Sequence, residues 1–115
     1  MAKILVVEDD ALIAMELEER LAELGHTVLG PAPSIADAET AMAKARPDAA
    51  LLDANLAGQS SVPLGLKLHE LGVPLAFCTG YDRVKDAPAA LASAPILTKP
   101  YSDAELQATL AKLLR

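Results

Sequence analysis

Short apolar runs alternate along the chain with segments in which apolar residues recur at helical spacing. The runs show no alternation with polar residues, which is typical of strands buried on both faces of a sheet. Four runs are clear and a fifth is weaker: Ile4–Val7, Val28–Leu29, Ala49–Leu52, Leu75–Cys78 and, weakest, Ile96–Leu97. The pattern predicts an α/β fold with one doubly wound, five-stranded parallel sheet and helices on both faces.

Capping residues and apolar stripes predict the helices between the strands. Ser34 and Ser102 each stand three residues before an acidic residue, which is capping-box spacing or a near variant, so helices should begin after both serines. Gly25 and Gly72 are expected to end the first and third helices, and Pro63 suits a first helical turn. The predicted inward stripes are Ile13, Leu17, Leu21 and Leu24 in the first helix, Ile35, Ala38, Met42 and Ala45 in the second, and Leu106, Leu110 and Leu113 in the last.

The segment from Tyr81 to Ala94 departs from this regular alternation. Asp82, Asp86 and Pro88 interrupt any early helix, and only Ala89 to Ala92 favour one. We therefore expect the fourth helix to be short or mobile.

Length and composition narrow the class of protein. The chain has 115 residues, 52% of them hydrophobic, which suits one domain over residues 1–115 and leaves no room for a separately folded effector domain. Sixteen acidic against ten basic side chains give a net charge of −6, which argues against direct binding to nucleic acid. A single cysteine and the lack of an apolar run of roughly 20 residues favour a reduced, cytoplasmic protein without a membrane span.

Polar residues follow four of the five predicted strands. The first runs into Glu8-Asp9-Asp10, the third ends at Asp53, the fourth ends in Thr79-Gly80 and the fifth ends in Lys99-Pro100. Ligands of open parallel sheets bind beyond the carboxyl ends of the strands, so a site is expected at this edge. A Rossmann-type nucleotide site is excluded, because three acids replace the Gly-rich loop that would approach a phosphate.

Carboxylates crowded at one edge repel one another and need a compensating cation. A pair at ~4 Å costs on the order of 4 kcal/mol at an effective dielectric near 20. Lys99 supplies one positive charge and a Mg²⁺ ion would supply two more. The predicted metal ligands are Glu8, Asp9, Asp53 and the backbone carbonyl of Asn55. Because Mg²⁺ and a lysine together can neutralise a phosphoryl group as it moves onto a carboxylate, Asp53 is the predicted acceptor.

Each of these residues also has an ordinary structural explanation. Asp10 precedes a helix and is assigned to capping, which leaves Glu8 and Asp9 for the metal. Asp53 alone would more often be a turn residue, and Thr79 is a common strand residue. The acid pair, the acceptor and the lysine at one edge outweigh these separate explanations.

Four short motifs together resemble a known family. Val-Val-Glu-Asp-Asp ending at Asp10, Leu-Leu-Asp-Ala-Asn-Leu around Asp53, Thr79-Gly80 and Thr98-Lys99-Pro100 resemble the receiver domain of bacterial response regulators, over essentially the whole chain. The resemblance implies a flavodoxin-like receiver fold with strand order 2-1-3-4-5.

The same resemblance implies a role for each site residue. Glu8 and Asp9 would hold Mg²⁺. Asp53 would accept a phosphoryl group from a kinase phosphohistidine, while Thr79 and Lys99 would contact that group.

A finer resemblance is to the subgroup nicknamed FAT GUY, through Phe77-Cys78-Thr79-Gly80-Tyr81. Its members are typical of alphaproteobacteria and several act in general stress signalling, so the resemblance implies that pathway. Ile96 stands where ordinary receivers carry a switch aromatic, three positions before the lysine. Tyr81 is the nearby aromatic substitute, and we expect it, or the loop from Tyr81 to Ala94, to report the phosphorylated state.

The main functional hypothesis is a stand-alone response regulator, which is not an enzyme apart from self-dephosphorylation. A histidine kinase or phosphotransfer protein would phosphorylate it, and it would then signal to an unknown downstream protein or drain phosphate from a relay. We expect a monomer, with a weak dimer as the alternative.

Two other functions stay open. The first is an aspartyl-phosphate phosphatase of the haloacid dehalogenase type, which needs an acid two residues after its nucleophile, where this chain has Asn55. The second is a pseudo-receiver that binds a partner and is never phosphorylated, against which the intact set of acids, threonine and lysine argues.

Overall fold

The central sheet of the computed structural model has five parallel strands, and the structure describes residues 2–80 and 88–114. The chain forms β1 (Lys3–Val7), β2 (Thr27–Ala32), β3 (Ala49–Asp53), a two-stranded hairpin of β4 (Asn55–Leu56) and β5 (Gln59–Ser60), then β6 (Leu75–Thr79) and β7 (Ile96–Thr98). The sheet order is β2-β1-β3-β6-β7. Counted without the hairpin, this is the predicted order 2-1-3-4-5, so the predicted fold is confirmed.

Four α-helices cover the two faces of the sheet within the described residues. They are α1 (Ala11–Glu23), α2 (Ile35–Lys44), α3 (Val62–Glu70) and α4 (Asp103–Leu113). The apolar residues of α1 and α4 join one core cluster, and those of α2 and α3 join a second on the opposite face. No described helix has the length and apolar content needed to cross a membrane.

The strands are apolar on both faces because each face meets a helix layer. In β1, Ile4 and Val6 face the layer of α1 and α4, whereas Leu5 and Val7 face the layer of α2 and α3. All four side chains are at most 1% exposed. The uninterrupted apolar runs in the sequence therefore reflect burial on two sides, as predicted.

The predicted caps begin three of the helices. The Asp10 side chain accepts hydrogen bonds from the backbone of the first turn of α1, and Ser34 accepts one at the start of α2. Ser102 and Glu105 form a complete capping box at the start of α4. These side chains satisfy amide groups that the first helical turn leaves free.

The buried face of α1 differs by one position from the predicted stripe. Ala14, Leu17 and Leu21 are its buried residues, whereas Ile13 is 38% exposed. Ile13 was therefore wrongly placed in the core. Alanine is a weak hydrophobic signal, so the apolar pattern favoured the larger neighbour.

Two short elements complete the described chain. The β4–β5 hairpin was not predicted, and its turn residues Ala57 and Gly58 both have positive φ, at 52° and 90°. In the segment predicted to hold a short or mobile fourth helix, the described residues form a single 3₁₀ turn at Ala89–Leu91. The remainder of the loop at 81–87, including the switch candidate Tyr81, lies outside the described residues.

Candidate functional site

The carboxyl ends of four neighbouring strands deliver the predicted site residues to one edge of the sheet. Parallel pairing places Val7 beside Leu52, the residues that directly precede Glu8 and Asp53. It also places Asp53 beside Cys78. Thr79 pairs with Thr98, next to the lysine. Strand register thus brings together residues that are distant in the chain.

Three carboxylates form one cluster at this edge. One oxygen from each of Glu8, Asp9 and Asp53 lies within 4.8 Å of the other two. The side chains of Glu8 and Asp53 are only 5% and 13% exposed, whereas Asp9 is exposed. The cluster is therefore a partly buried acidic pocket that solvent reaches beside Asp9.

Lys99 lies between two of these carboxylates. Its Nζ donates a hydrogen bond to Glu8 Oε1 at 2.9 Å and lies 3.6 Å from Asp53 Oδ2. Its backbone nitrogen donates to the carbonyl of Thr79 at 2.7 Å, and the peptide bond to Pro100 is cis. The predicted arrangement of lysine and acids is therefore present in the structure.

The site shifts the pKa values of its charged groups. Burial raises the pKa of Asp53, and the hydrogen bond and charge of Glu8 add to that effect, so the pKa rises to about 6. Burial also acts to raise the pKa of Glu8, but hydrogen bonds with Asp53, Lys99 and the backbone of Asp10 outweigh it and leave the pKa below its ordinary value. Burial lowers the pKa of Lys99, yet the two carboxylates more than offset this, so its pKa is raised and the amine is charged.

The donor set of the pocket fits a Mg²⁺ ion. Mg²⁺ prefers oxygen ligands in octahedral geometry at about 2 Å, which places adjacent ligands about 3 Å and opposite ligands about 4 Å apart. The three carboxylates each offer an oxygen within 4.8 Å of the other two, so they are grouped closely enough to share one ion after side-chain adjustment. A divalent cation there would also relieve the repulsion that raises the pKa of Asp53.

Of the remaining predicted site residues, Thr79 and Asn55 lie beside the carboxylates, and Tyr81 lies outside the described residues. Thr79 ends β6 and is 7% exposed. A Cβ at Gly80 would meet no heavy atom of residues 2–80 and 88–114 within 4 Å. Asn55 donates its backbone amide to Asp53 Oδ1 at 3.3 Å, while Ile96 pairs with Phe77 in the sheet.

Two residues near the lysine were not singled out by the sequence. Arg20 of α1 contacts both the backbone and the ring of Tyr101, two positions after Lys99. Arg20 and Tyr101 are 81 positions apart, so no local motif links them. The only available signal was the place of Tyr101 directly after Lys99-Pro100.

Three known proteins show what this chain is similar to. The two-component response regulator PhoP of Pseudomonas aeruginosa is 35% identical over 120 residues, covering 98% of this chain and 52% of PhoP. The phyllosphere-induced regulator PhyR of Methylorubrum extorquens is 34% identical over 118 residues, covering 97% of this chain and 43% of PhyR. The solution structure of SdrG from Sphingomonas melonis matches with a TM-score of 0.83 at 35% identity, covering 100% of this chain and 98% of SdrG.

The extent of these matches differs between the relatives. The chain spans about half the length of the curated relatives PhoP and PhyR. The profile of the response regulator receiver domain matches residues 4–111, which include the acids, the threonine and the lysine of the pocket. The chain therefore belongs to the response regulator receiver domain family.

Proposed function

We propose that this protein is a single-domain response regulator that accepts a phosphoryl group on Asp53 from a histidine kinase or phosphotransfer protein. The proposal depends above all on the charged Lys99 amine, which lies 2.9 Å from Glu8 and 3.6 Å from Asp53. A cation in that position can neutralise charge on a phosphoryl group while it bonds to Asp53.

The proposed transfer step uses a carboxylate oxygen of Asp53 as the acceptor. A carboxylate oxygen of Asp53 forms a bond to phosphorus, the phosphorus–nitrogen bond of the donor phosphohistidine breaks, and the electron pair of that bond returns to the imidazole. Lys99 neutralises the phosphoryl oxygens, and the Thr79 hydroxyl contacts them. Mg²⁺ held by Glu8, Asp9, Asp53 and the Asn55 carbonyl supplies further charge neutralisation when bound.

The acyl phosphate would change what the protein binds. We assign the read-out to Tyr81 and to Ile96, which occupies the place of the usual switch aromatic. The phosphorylated form would bind or release a downstream protein, or pass its phosphate back into a relay, and would lose phosphate by self-hydrolysis. The same proposal includes membership of the FAT GUY subgroup, a role in general stress signalling and a cytoplasmic location. It also includes a monomeric state, with a weak dimer as the alternative.

Labelling by a small phosphoryl donor tests the acceptor directly. With acetyl phosphate and Mg²⁺, we expect one acyl phosphate per wild-type chain, labile to hydroxylamine, and none in Asp53→Asn. Asp48→Asn is a matched control, because this aspartate accepts a hydrogen bond from the Lys3 backbone and its amide analogue keeps an acceptor oxygen. Equal labelling of wild type and Asp53→Asn would remove Asp53 from the mechanism.

The start of α1 is the proposed contact for the kinase. Leu12 and Met15 are 73% and 57% exposed, unusually high for large apolar residues, and they follow directly after the acidic cluster. We expect Leu12→Glu to slow transfer from the cognate kinase, identified by phosphotransfer profiling, at least about tenfold, while labelling by acetyl phosphate stays unchanged.

The matched control for that variant is Leu71→Glu. Leu71 is 47% exposed and follows the last residue of α3, away from α1. Normal transfer to Leu71→Glu is expected. Normal transfer to Leu12→Glu as well would exclude this part of α1 as the contact.

A further inference from the structure

One arginine joins α1 to the segment that follows Lys99. Arg20 Nε donates to Asp103 Oδ1 at 2.7 Å, and Arg20 Nη2 donates to the backbone carbonyl of Tyr101 at 3.2 Å. The guanidinium carbon also lies 4.9 Å from the centre of the Tyr101 ring. The Arg20 side chain thus contacts the backbone and the ring of Tyr101 and the first residue of α4, Asp103.

The contacts with Tyr101 are the significant ones. Asp103 is 73% exposed, so its ion pair with Arg20 contributes little by itself. The Arg20 side chain is only 21% exposed, and stacking on an aromatic face uses the planar guanidinium in a way that a lysine amine cannot.

Tyr101 is held from its other side by the core. Its ring packs against the core cluster that includes Cys78, the residue before Thr79 in β6. Burial raises the pKa of Tyr101, and the neighbouring Cys78 thiol adds to this effect. Tyr101 therefore lies between Arg20 and the strand that carries the site threonine.

Hydrogen bonds on both sides of Lys99 hold its backbone in place. Upstream, the Lys99 amide is bonded to the Thr79 carbonyl at 2.7 Å. Downstream, the Tyr101 carbonyl is bonded to Arg20, and the Ser102 capping box begins α4 immediately afterwards. A lysine amine is carried on a flexible four-carbon side chain, so its position depends on how firmly the backbone at Lys99 is held.

We propose that Arg20 is a positioning residue for phosphoryl transfer: by clamping Tyr101 to α1, it fixes the backbone from which Lys99 reaches Glu8 and Asp53. The inference rests on the proposed function, because it assigns Arg20 an effect on the phosphorylation of Asp53 through Lys99. Arg20 itself touches none of the three carboxylates of the pocket in the contacts of the described residues.

A double-mutant cycle tests whether Arg20 acts through Lys99. The rate of labelling by acetyl phosphate is measured for wild type, Arg20→Gln, Lys99→Ala and the double variant, at saturating Mg²⁺. We expect Arg20→Gln to slow labelling about tenfold in the wild-type background, because small misplacements of a catalytic group have effects of this order. In the Lys99→Ala background the same substitution should leave the rate unchanged.

A matched control removes a similar ion pair elsewhere. Lys67 of α3 pairs with Glu39 of α2 at 3.2 Å, so Lys67→Gln also loses one positive charge and one bridge between helices. Its labelling rate should equal that of wild type. Hydrogen exchange gives a second readout: the Lys99 amide should exchange faster in Arg20→Gln, while the Leu51 amide in the centre of the sheet should not change.

The outcomes separate this inference from the function on which it rests. If the wild-type chain takes no label at Asp53, the proposed function fails. If wild type is labelled but Arg20→Gln is equally fast, or loses the same factor with and without Lys99, or shows an unchanged Lys99 amide, the positioning role is overturned. Should Arg20→Gln not fold, Arg20→Lys replaces it, because lysine can pair with Asp103 but cannot also hold the carbonyl and ring of Tyr101, and the same slowing is expected.

Discussion

Asp53 and Glu8 carry the same functional group, yet the site shifts their pKa values in opposite directions. Both are partly buried, and burial acts on both in the same sense. The difference comes first from the hydrogen bond between the two groups, which lowers the pKa of Glu8 and raises that of Asp53, and the charge of Glu8 raises the pKa of Asp53 further. Lys99 lowers the pKa of both groups and lies closer to Glu8, at 2.9 Å, than to Asp53, at 3.6 Å. In the metal-free protein, Glu8 is therefore the stabilised anion, and Asp53 keeps its proton to higher pH, with a pKa of about 6.

This difference predicts how pH affects the metal-free protein. The pKa of Asp53 is about 6 in the folded state and 3.8 ordinarily, so folding favours the protonated form. The contribution of Asp53 to the free energy of unfolding must then fall as pH rises from about 4 through about 6. Asp53→Asn removes the ionisable group, so we expect it to be more stable than wild type by about 3 kcal/mol at pH 7.5, and by about half as much at pH 5.

Urea unfolding in the presence of a chelator measures this difference at each pH. Asp48→Asn serves as the control and should show no such change between the two pH values. A gain for Asp53→Asn that is as large at pH 5 as at pH 7.5 would contradict the assigned pKa.

At the scale of elements, the β4–β5 hairpin contains a backbone conformation that is unfavourable for a residue with a side chain. Its two-residue turn has positive φ at both central positions, 52° at Ala57 and 90° at Gly58, as a type I′ turn requires. Gly58 adopts this conformation freely. At Ala57 the same conformation lowers the free energy of unfolding by about 1 kcal/mol, because the Cβ approaches the following carbonyl. The hairpin follows directly after Asp53 and leads into α3.

Substitution at Ala57 should change the stability in a direction that depends on the side chain. Asparagine tolerates the left-handed region, so Ala57→Asn should raise the free energy of unfolding by about 0.5–1 kcal/mol. Ala57→Val places a β-branched residue there and should lower it. Urea denaturation of both variants checks the sign, and a stabilising valine would refute the turn assignment.

At the scale of the whole molecule, the acidic pocket concentrates negative charge in a chain whose net charge is already −6. Binding of Mg²⁺ to the folded state alone must stabilise it, by about 1.4 kcal/mol at ten times the Kd. We expect Tm to rise by several degrees in millimolar MgCl₂ and not in NaCl of equal ionic strength. Asp9→Asn should reduce the rise, and an unchanged Tm for wild type would exclude the proposed metal site.

The sequence was most informative where the physical signal was local and repeated. Five apolar runs and the polar residue after each of four of them were enough to predict the sheet and the place of Asp53 and Lys99. The hairpin was missed because its strands have two residues each and no apolar run. Ile13 was preferred to Ala14 because helical spacing alone does not distinguish adjacent positions on α1.

Other features depend on distances that no pattern encodes. Burial and the neighbouring Glu8 raise the pKa of Asp53, whereas hydrogen bonds with Asp53, Lys99 and the Asp10 backbone outweigh burial and lower the pKa of Glu8. The contact of Arg20 with Tyr101 joins residues 81 positions apart. Both the pKa shifts and the Arg20–Tyr101 contact depend on the three-dimensional arrangement of residues that are distant in the sequence.

The separation of Glu8 and Lys99 along the chain has a consequence for biosynthesis. These partners are 91 positions apart. A nascent polypeptide leaving the ribosome exposes its first acids early, but it lacks the amine that neutralises them until almost all of its sheet has been translated. The pairing of Glu8 with Lys99 therefore forms late during synthesis, and a chain that ends before Lys99 carries these acids without that positive partner.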